Sequence, residues 1–191
     1  MELLQERIRK EGKVLPGNII KVDGFLNHRV DPVLLGQIAD EFAKYFDISK
    51  ITVVLTAEAS GIALATVCAQ KFGVPMLFAK KAKSDNIEGG LYQSEVFSYT
   101  YKKKVTLLVS REWISSDDKV LIVDDFMANG EAMRGLCDIV EAAGASLVGI
   151  GCAVEKGFQG GGDRLRAAGI NLKSLAIIES AEPGNIVFRE N

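Results

Sequence analysis

A chain of 191 residues with 48% hydrophobic side chains has enough apolar material for a core, and its length suits one domain or one domain with a small appendage. A net charge of −2, with no basic block beyond Lys102-Lys103-Lys104, argues against nucleic-acid binding as a main role, and the single histidine, His28, argues against a histidine-built metal cluster or a Ser-His-Asp triad. No apolar run has the length of a membrane span, Met1 to Glu6 lacks the apolar centre of a secretory leader, and Cys68, Cys137 and Cys152 each lie in an apolar stretch, so a cytoplasmic protein with buried reduced thiols is expected.

Residues 1–10 carry Leu3, Leu4 and Ile8 on one side and predict a short helix; Pro16-Gly17 is a turn. Residues 18–30 read as a short, partly extended segment, with Ile19, Ile20 and Val22 apolar before the cluster Asn27, His28, Arg29. Asp31-Pro32 starts a helix, Asp as N-cap and Pro at the first helical position, with Leu34, Leu35, Ile38, Phe42 and Phe46 marking one face. An apolar, β-branched strand over 51–56 ends in Thr56-Ala-Glu-Ala-Ser-Gly61, and a mostly apolar helix follows to about Phe72. Such a loop is either an anion cradle at a helix start or a plain connection with Ser60 as N-cap. Another short strand over 75–79 leads into Lys80-Lys81-Ala-Lys83, then into a polar, glycine-containing stretch, 84–90, expected to be mobile. Residues 93–100 and 104–110 pattern as two strands of a ribbon joined near Tyr101.

The most informative stretch is Val120 to Arg134. Val120 to Val123 is a short run apolar on both faces, which suits an inner strand of a parallel sheet; Asp124 and Asp125 follow where the strand is expected to end. A turn on Ala128, Asn129 and Gly130 opens a helix whose apolar face is Met133, Leu136, Cys137, Val140 and Ala143, stopped by Gly144. The first N–H groups of a helix are unpaired and its dipole is positive there, so a phosphate can sit in the turn. Two acids beside a phosphate site would repel it unless they face another part of the same ligand, such as sugar hydroxyls; a ribose 5-phosphate fits that division. Beyond, 146–154 is a strand ending at Glu155-Lys156, and Phe158-Gln-Gly-Gly-Gly-Asp163 turns into a helix reaching Ala168. Its glycine spacing matches no nucleotide fingerprint and reads as a flexible connector. Strands at 174–179 and 186–188 complete an α/β chain with a mainly parallel sheet, whose ligand is expected beyond the carboxyl ends of the strands.

The stretch from Asp124 to Ala132 resembles the signature of type I phosphoribosyltransferases, which bind 5-phosphoribosyl 1-diphosphate (PRPP), and its wording is similar to the branch of that family acting on xanthine. Most of the family has hydroxyl residues in the loop, in a pattern like Thr-Gly-Gly-Thr; here Asn129, Glu131 and Ala132 replace them, so backbone N–H groups must do more of the binding. The resemblance covers nearly the whole chain. It implies one domain over 1–191, with 1–30 as a hood that contacts the base and 31–191 as a core of parallel sheet flanked by helices, and a flexible loop or ribbon over the site. It implies transfer of the phosphoribosyl group to xanthine, giving xanthosine 5′-monophosphate and diphosphate in purine salvage, with Mg²⁺ held mainly by PRPP and a homodimeric assembly. By the same resemblance Asp124 and Asp125 hold the ribose hydroxyls, Ala128, Asn129, Gly130, Glu131 and Ala132 the 5′-phosphate, Ala59, Ser60 and Gly61 the diphosphate, and Ile20, Asn27 and Lys156 the base; Lys81, in the basic cluster after the 75–79 strand, is the preferred further contact to the diphosphate. Three alternatives stay open: a guanine- or hypoxanthine-preferring transferase, a PRPP-binding regulator without catalysis, for whose DNA-binding domain the segment before Asp31 is too short, and a general α/β nucleotide-binding protein.

Overall fold

The computed structural model describes residues 1–81, 90–98 and 103–190. In chain order it has α1 (Glu2–Glu11), β1 (Lys13–Leu15), β2 (Ile19–Lys21), α2 (Pro32–Phe42), β3 (Val53–Ala57), α3 (Gly61–Phe72), β4 (Met76–Ala79), β5 (Leu91–Ser98), β6 (Lys103–Ser110), β7 (Lys119–Met127), α4 (Glu131–Ala142), β8 (Ser146–Lys156), α5 (Gly161–Ala167), β9 (Leu172–Glu182) and β10 (Asn185–Phe188). The apolar runs become neighbours in a six-stranded sheet of order β10-β9-β8-β7-β3-β4, parallel throughout except for β10, which folds back antiparallel on β9. The mainly parallel sheet flanked by helices is the expected layout, with β7 inside the sheet as its uninterrupted apolar pattern requires.

Strand alternation sends Leu121 and Val123 to one face and Val120 and Ile122 to the other. The first face is covered by α1, α2 and α3 through Leu4, Ile8, Leu35, Ile38, Phe42, Leu64 and Cys68. The second is covered by α4, α5 and the β5–β6 ribbon through Leu136, Ile139, Leu165, Val96 and Leu107. Complete burial of a side chain such as Leu136 or Ile139 contributes about 1.5–3 kcal/mol, so the helices are held by their faces rather than by propensity. Residues 1–30 share the first core: Ile20, Val22, Phe25 and Leu26 are buried in it beside Leu4 and Ile8.

Several boundaries differ from the sequence expectation. β7 does not end before the acids; it continues through Asp124 and Asp125 to Met127, paired with β8 as far as Glu155. α2 stops at Phe42, and after a turn Asp47 accepts from Ser49 N–H and starts a 3-10 turn at Ile48–Lys50; Phe46 still packs from the intervening turn, its ring centroid 6.2 Å from that of Phe42. The partly extended segment at 18–30 is resolved into β2, paired antiparallel with β1 around the Pro16-Gly17 turn, and a wide helical turn at Asp23–Asn27. Asp31 caps α2 as expected, accepting from Val33 N–H at 3.1 Å and Leu34 N–H at 3.2 Å.

The ribbon is present, with Leu91 to Ser98 paired against Ser110 to Lys103. Leu108 and Lys80 exchange backbone hydrogen bonds of 2.8 and 2.9 Å, tying β6 to the end of β4, and Ser94 Oγ donates to Asp138 of α4 at 2.7 Å. The expected mobile stretch and Lys83 fall largely in 82–89 and 99–102, outside the described residues. Among the described residues no helix is long and apolar enough to cross a membrane.

Candidate active site

Strands β3, β4, β7 and β8 end on the same side, and a cleft of about 230 Å³ opens there. Asp124, Phe126 and residues 128–133 form its floor, Lys81 stands at one side, and Val96, Phe97, Val105 and Leu107 of the ribbon form its roof. Asp124 leaves β7 on the side of Val120 and Ile122, toward the cleft. Asp125 leaves on the other side, where the Asn27 amide donates to its Oδ2 at 2.8 Å. The Asp125 N–H donates to Asp124 Oδ1 at 3.0 Å. Both acids are buried, Asp124 to 7% and Asp125 to 1% exposure. Burial, and then the adjacent Asp125 carboxylate, push the Asp124 carboxyl well above the usual carboxylate range, while the Lys81 ammonium pulls it the other way. A cation placed beside Asp124 would favour its ionised form and pull the carboxyl back down.

Beyond Met127 the chain bends through residues 128–130, and Gly130, at φ 79°, turns it into α4. The Glu131 carboxylate is drawn aside to Arg134 at 3.2 Å, and Arg134 also holds Asp138 at 3.0 Å. The acid side chain of this loop is thereby turned aside, leaving its backbone N–H as the group that can face an anion. Inorganic phosphate is expected to settle on the N–H groups of residues 128–132, and a phosphate-bound crystal structure with the anion elsewhere would refute this assignment.

The glycine-rich run after β8 is not a flexible connector. Gly161 lies flat against this loop: a Cβ there would fall 2.5 Å from Asn129 C and 2.6 Å from Gly130 N. The run is tied down from behind by Glu155, which is completely buried; Arg166 reaches it with contacts of 2.6 and 3.1 Å, and the Ser174 hydroxyl donates to it as well.

The loop after β3 lies against Asp124, outside the residues that line the cleft. Gly61 starts α3 where a Cβ would run into Asp124 Oδ1 and Thr56 Oγ1, so only glycine lets this loop lie against the acid. Ser60 occupies the N-cap position, but its hydroxyl makes no cap bond, and Ala59 and Ser60 are exposed at the loop tip. The Glu58–Ala59 peptide is cis. Glu58 Oε1 accepts from Lys81 N–H at 2.6 Å, which fixes the end of β4 to the loop and sets Lys81 beside the cleft. Neither Glu58 nor Thr56 stood out in the sequence. The Thr56 hydroxyl is completely buried and finds no hydrogen-bond partner among the described residues.

The three residues matched to base contacts have different partners. Asn27 sits on Asp125, half-buried. Lys156 ends β8; its Nζ donates to the Asn18 carbonyl at 3.0 Å, stands 5.6 Å from the Phe126 ring centroid, and has its pKa lowered by burial. Ile20 packs into the first core at 7% exposure. Phe126 is an aromatic wall between Lys156 and the acids that sequence reading passed over; its signal was its place directly after the acid pair. Among the described residues no group of three or more His, Cys, Asp or Glu could hold a metal ion.

The family model of the phosphoribosyl transferase domain matches residues 33–165. A xanthine phosphoribosyltransferase of Lachnoclostridium phytofermentans is 52% identical over 191 residues, covering 99% of this chain and 98% of that one. Another, from Ruminiclostridium cellulolyticum, is 53% identical over 190 residues, with both chains covered completely. Among solved structures, the adenine phosphoribosyltransferase of Giardia lamblia complexed with 9-deazaadenine superposes with a TM-score of 0.77 at 22% identity, over 93% of this chain and 98% of that one, a likeness of fold. The family match spans β3, the acid pair and the loops after β3 and β7, and the relatives align end to end: the chain belongs to the phosphoribosyltransferase family.

Proposed function

We propose that the chain transfers the 5-phosphoribosyl group of PRPP to xanthine, releasing diphosphate and forming xanthosine 5′-monophosphate, as a one-domain homodimeric salvage enzyme of the cytoplasm. The observation that carries this reading is the convergence of Asp124, the 128–132 loop and Lys81 on one cleft, with Asp125 beside it on the other face of β7, in a chain half-identical end to end to xanthine phosphoribosyltransferases.

In the reaction the bond between the anomeric carbon and the diphosphate oxygen breaks, its electron pair leaving with diphosphate, and a bond from a purine ring nitrogen forms while the proton of the purine is released to solvent. The transition state places positive charge on the ribose ring. Asp124 and Asp125 would hold the ribose hydroxyls; the raised pKa of Asp124 marks a carboxyl whose ionised form gains most when that positive charge develops beside it. Residues 128–132 would take the 5′-phosphate through backbone N–H groups. Ala59, Ser60, Gly61 and Lys81 would face the diphosphate. The donor set fits Mg²⁺ held chiefly by diphosphate and ribose oxygens with waters, Asp124 and Asp125 being the nearest acids; when bound, the ion would neutralise the leaving group.

Lys156 offers donors only, which favours an oxygen on the base over an amino group. Asn27 already spends one N–H on Asp125, which leaves its second N–H and its oxygen for the two position of the purine. The test is a base panel with PRPP and Mg²⁺. Xanthine should lead guanine and hypoxanthine, with adenine unused. Asn27→Ala should lower the xanthine-to-hypoxanthine ratio of kcat/KM by about 10²-fold or more, since a lost site hydrogen bond can remove up to about 10⁴ of discrimination. Lys156→Ala should hurt all three oxopurines together. A preference for adenine, or an unchanged ratio in Asn27→Ala, would sink the base assignment; absence of diphosphate release with every base would point to a regulator.

A further inference from the structure

We infer that Arg164 is a positioning residue for the 128–132 loop, an assignment that rests on that loop being the 5′-phosphate site. Arg164 is an exposed residue of α5, outside the residues that line the cleft. Its Nη2 donates to the Asn129 carbonyl at 3.1 Å and its Nη1 to the Gln159 carbonyl at 3.4 Å. One guanidinium thus bridges the glycine-rich turn and the back of the loop.

The chemistry of the loop makes that contact matter. Its side chains are Ala128, Asn129, Gly130, Glu131 and Ala132, with no hydroxyl and with Glu131 turned to Arg134. Recognition of a phosphate therefore depends on where the backbone N–H groups point. In a trans peptide the carbonyl and the following N–H are antiparallel, so a carbonyl drawn toward Arg164 aims the Gly130 N–H away from it. The next residue is glycine, which lets a peptide plane turn over at little steric cost. Turned over, the Asn129–Gly130 peptide would present its carbonyl oxygen to the phosphate and repel it. Arg164 holds the carbonyl end, and Gly161 packs against the flat of the same peptide.

The platform behind Arg164 is rigid by independent contacts. Arg166 is locked on buried Glu155, and Asp163 is gripped by Arg189 at 2.7 and 3.1 Å. α5 therefore transmits a fixed position to the loop rather than following it.

The test compares wild type, Arg164→Met and Arg164→Lys. Arg164→Met should raise KM for PRPP about tenfold, the scale of one charge-assisted hydrogen bond, and weaken ribose 5-phosphate binding by calorimetry to the same degree. Its kcat, its KM for xanthine and its melting temperature should stay at wild-type values, a split that a general structural role would not produce. Arg164→Lys keeps the charge but not the two-acceptor fork, and should recover only part of the affinity. Arg164→Met binding ribose 5-phosphate as well as wild type would overturn the inference alone, and so would full recovery in Arg164→Lys, which would make the effect one of charge. A wild-type enzyme that binds no ribose 5-phosphate would overturn the proposed function and this inference with it.

Discussion

Replacing both acids, Asp124→Asn with Asp125→Asn, is expected to lower kcat by about 10²–10³-fold, the loss seen when one charge-stabilising group is removed from a preorganised site, while the folded state becomes more stable at neutral pH. The stability half follows from Asp124. Its pKa is raised in the folded chain by burial and by Asp125, so the folded state holds a proton that the unfolded state, with a pKa of about 3.9, has already released. Stability therefore falls as pH rises from that unfolded value through the folded one, and the full penalty is present above it. Asparagine does not titrate and lifts the penalty. Asp124→Asn alone should thus melt higher than wild type at pH 8, with the difference shrinking as pH falls toward 4. Thermal scans across that range check it; an equal melting temperature at pH 8 would show that Asp124 carries no such penalty. Asparagine at position 125 can still accept from Asn27 through its amide oxygen, so the fold has no reason to fail there.

Gly61→Ala should be nearly as damaging to activity and should act in the opposite direction on stability. Its Cβ collides with the carboxylate of Asp124 and the hydroxyl of Thr56, and Thr56 is completely buried with no room to retreat. Overpacking of this kind destabilises by about 1–3 kcal/mol, and displacing a reacting group by about 1 Å is worth about 10²-fold in rate. Gly36→Ala is the control. It lies inside α2, where a Cβ meets nothing within 4 Å, so it should gain about 0.5–1 kcal/mol and leave kcat untouched. In an Asp124→Ala background Gly61→Ala should destabilise less than in wild type. Equal destabilisation in both backgrounds would place the damage at the start of α3 rather than at the acid.

The β7–loop–α4 unit was legible in the sequence because every residue in it obeys a local rule: an apolar run for an inner strand, a glycine where φ is positive, an apolar stripe for the helix. Asp31-Pro32 and the ribbon were legible for the same reason. What failed depends on neighbours distant in the chain. The strand carries on past Asp124 because β8 offers Cys152 and Val154 as partners, a fact with no local trace. Glycines 160–162 looked like slack because glycine is equally the residue of flexible turns and of close backbone approach; only the position of Asn129 and Gly130 decides between them. The hydrogen bond of Asn27 to an acid 98 positions away likewise could not be read from spacing. The β1–β2 hairpin was lost because three-residue strands are too short to show alternation.

The place of β7 in the sheet also dictates when the cleft can come into being. β3 finds its β4 partner early, Val54 beside Met76, but its other edge waits for β7: Val53 pairs with Val120, 67 positions later. At synthesis rates of about 5–20 residues per second, the 40 residues from Ala79 to Lys119 take roughly 2–8 s. Throughout that interval a wholly apolar strand edge, Val53 to Leu55, has no neighbour and can pair with another nascent chain. The β5–β6 ribbon is the part of the molecule synthesised during the wait. When β7 arrives it closes the vulnerable edge and carries Asp124 and Asp125 with it, so escape from aggregation and assembly of the acid pair are one event in the life of the chain.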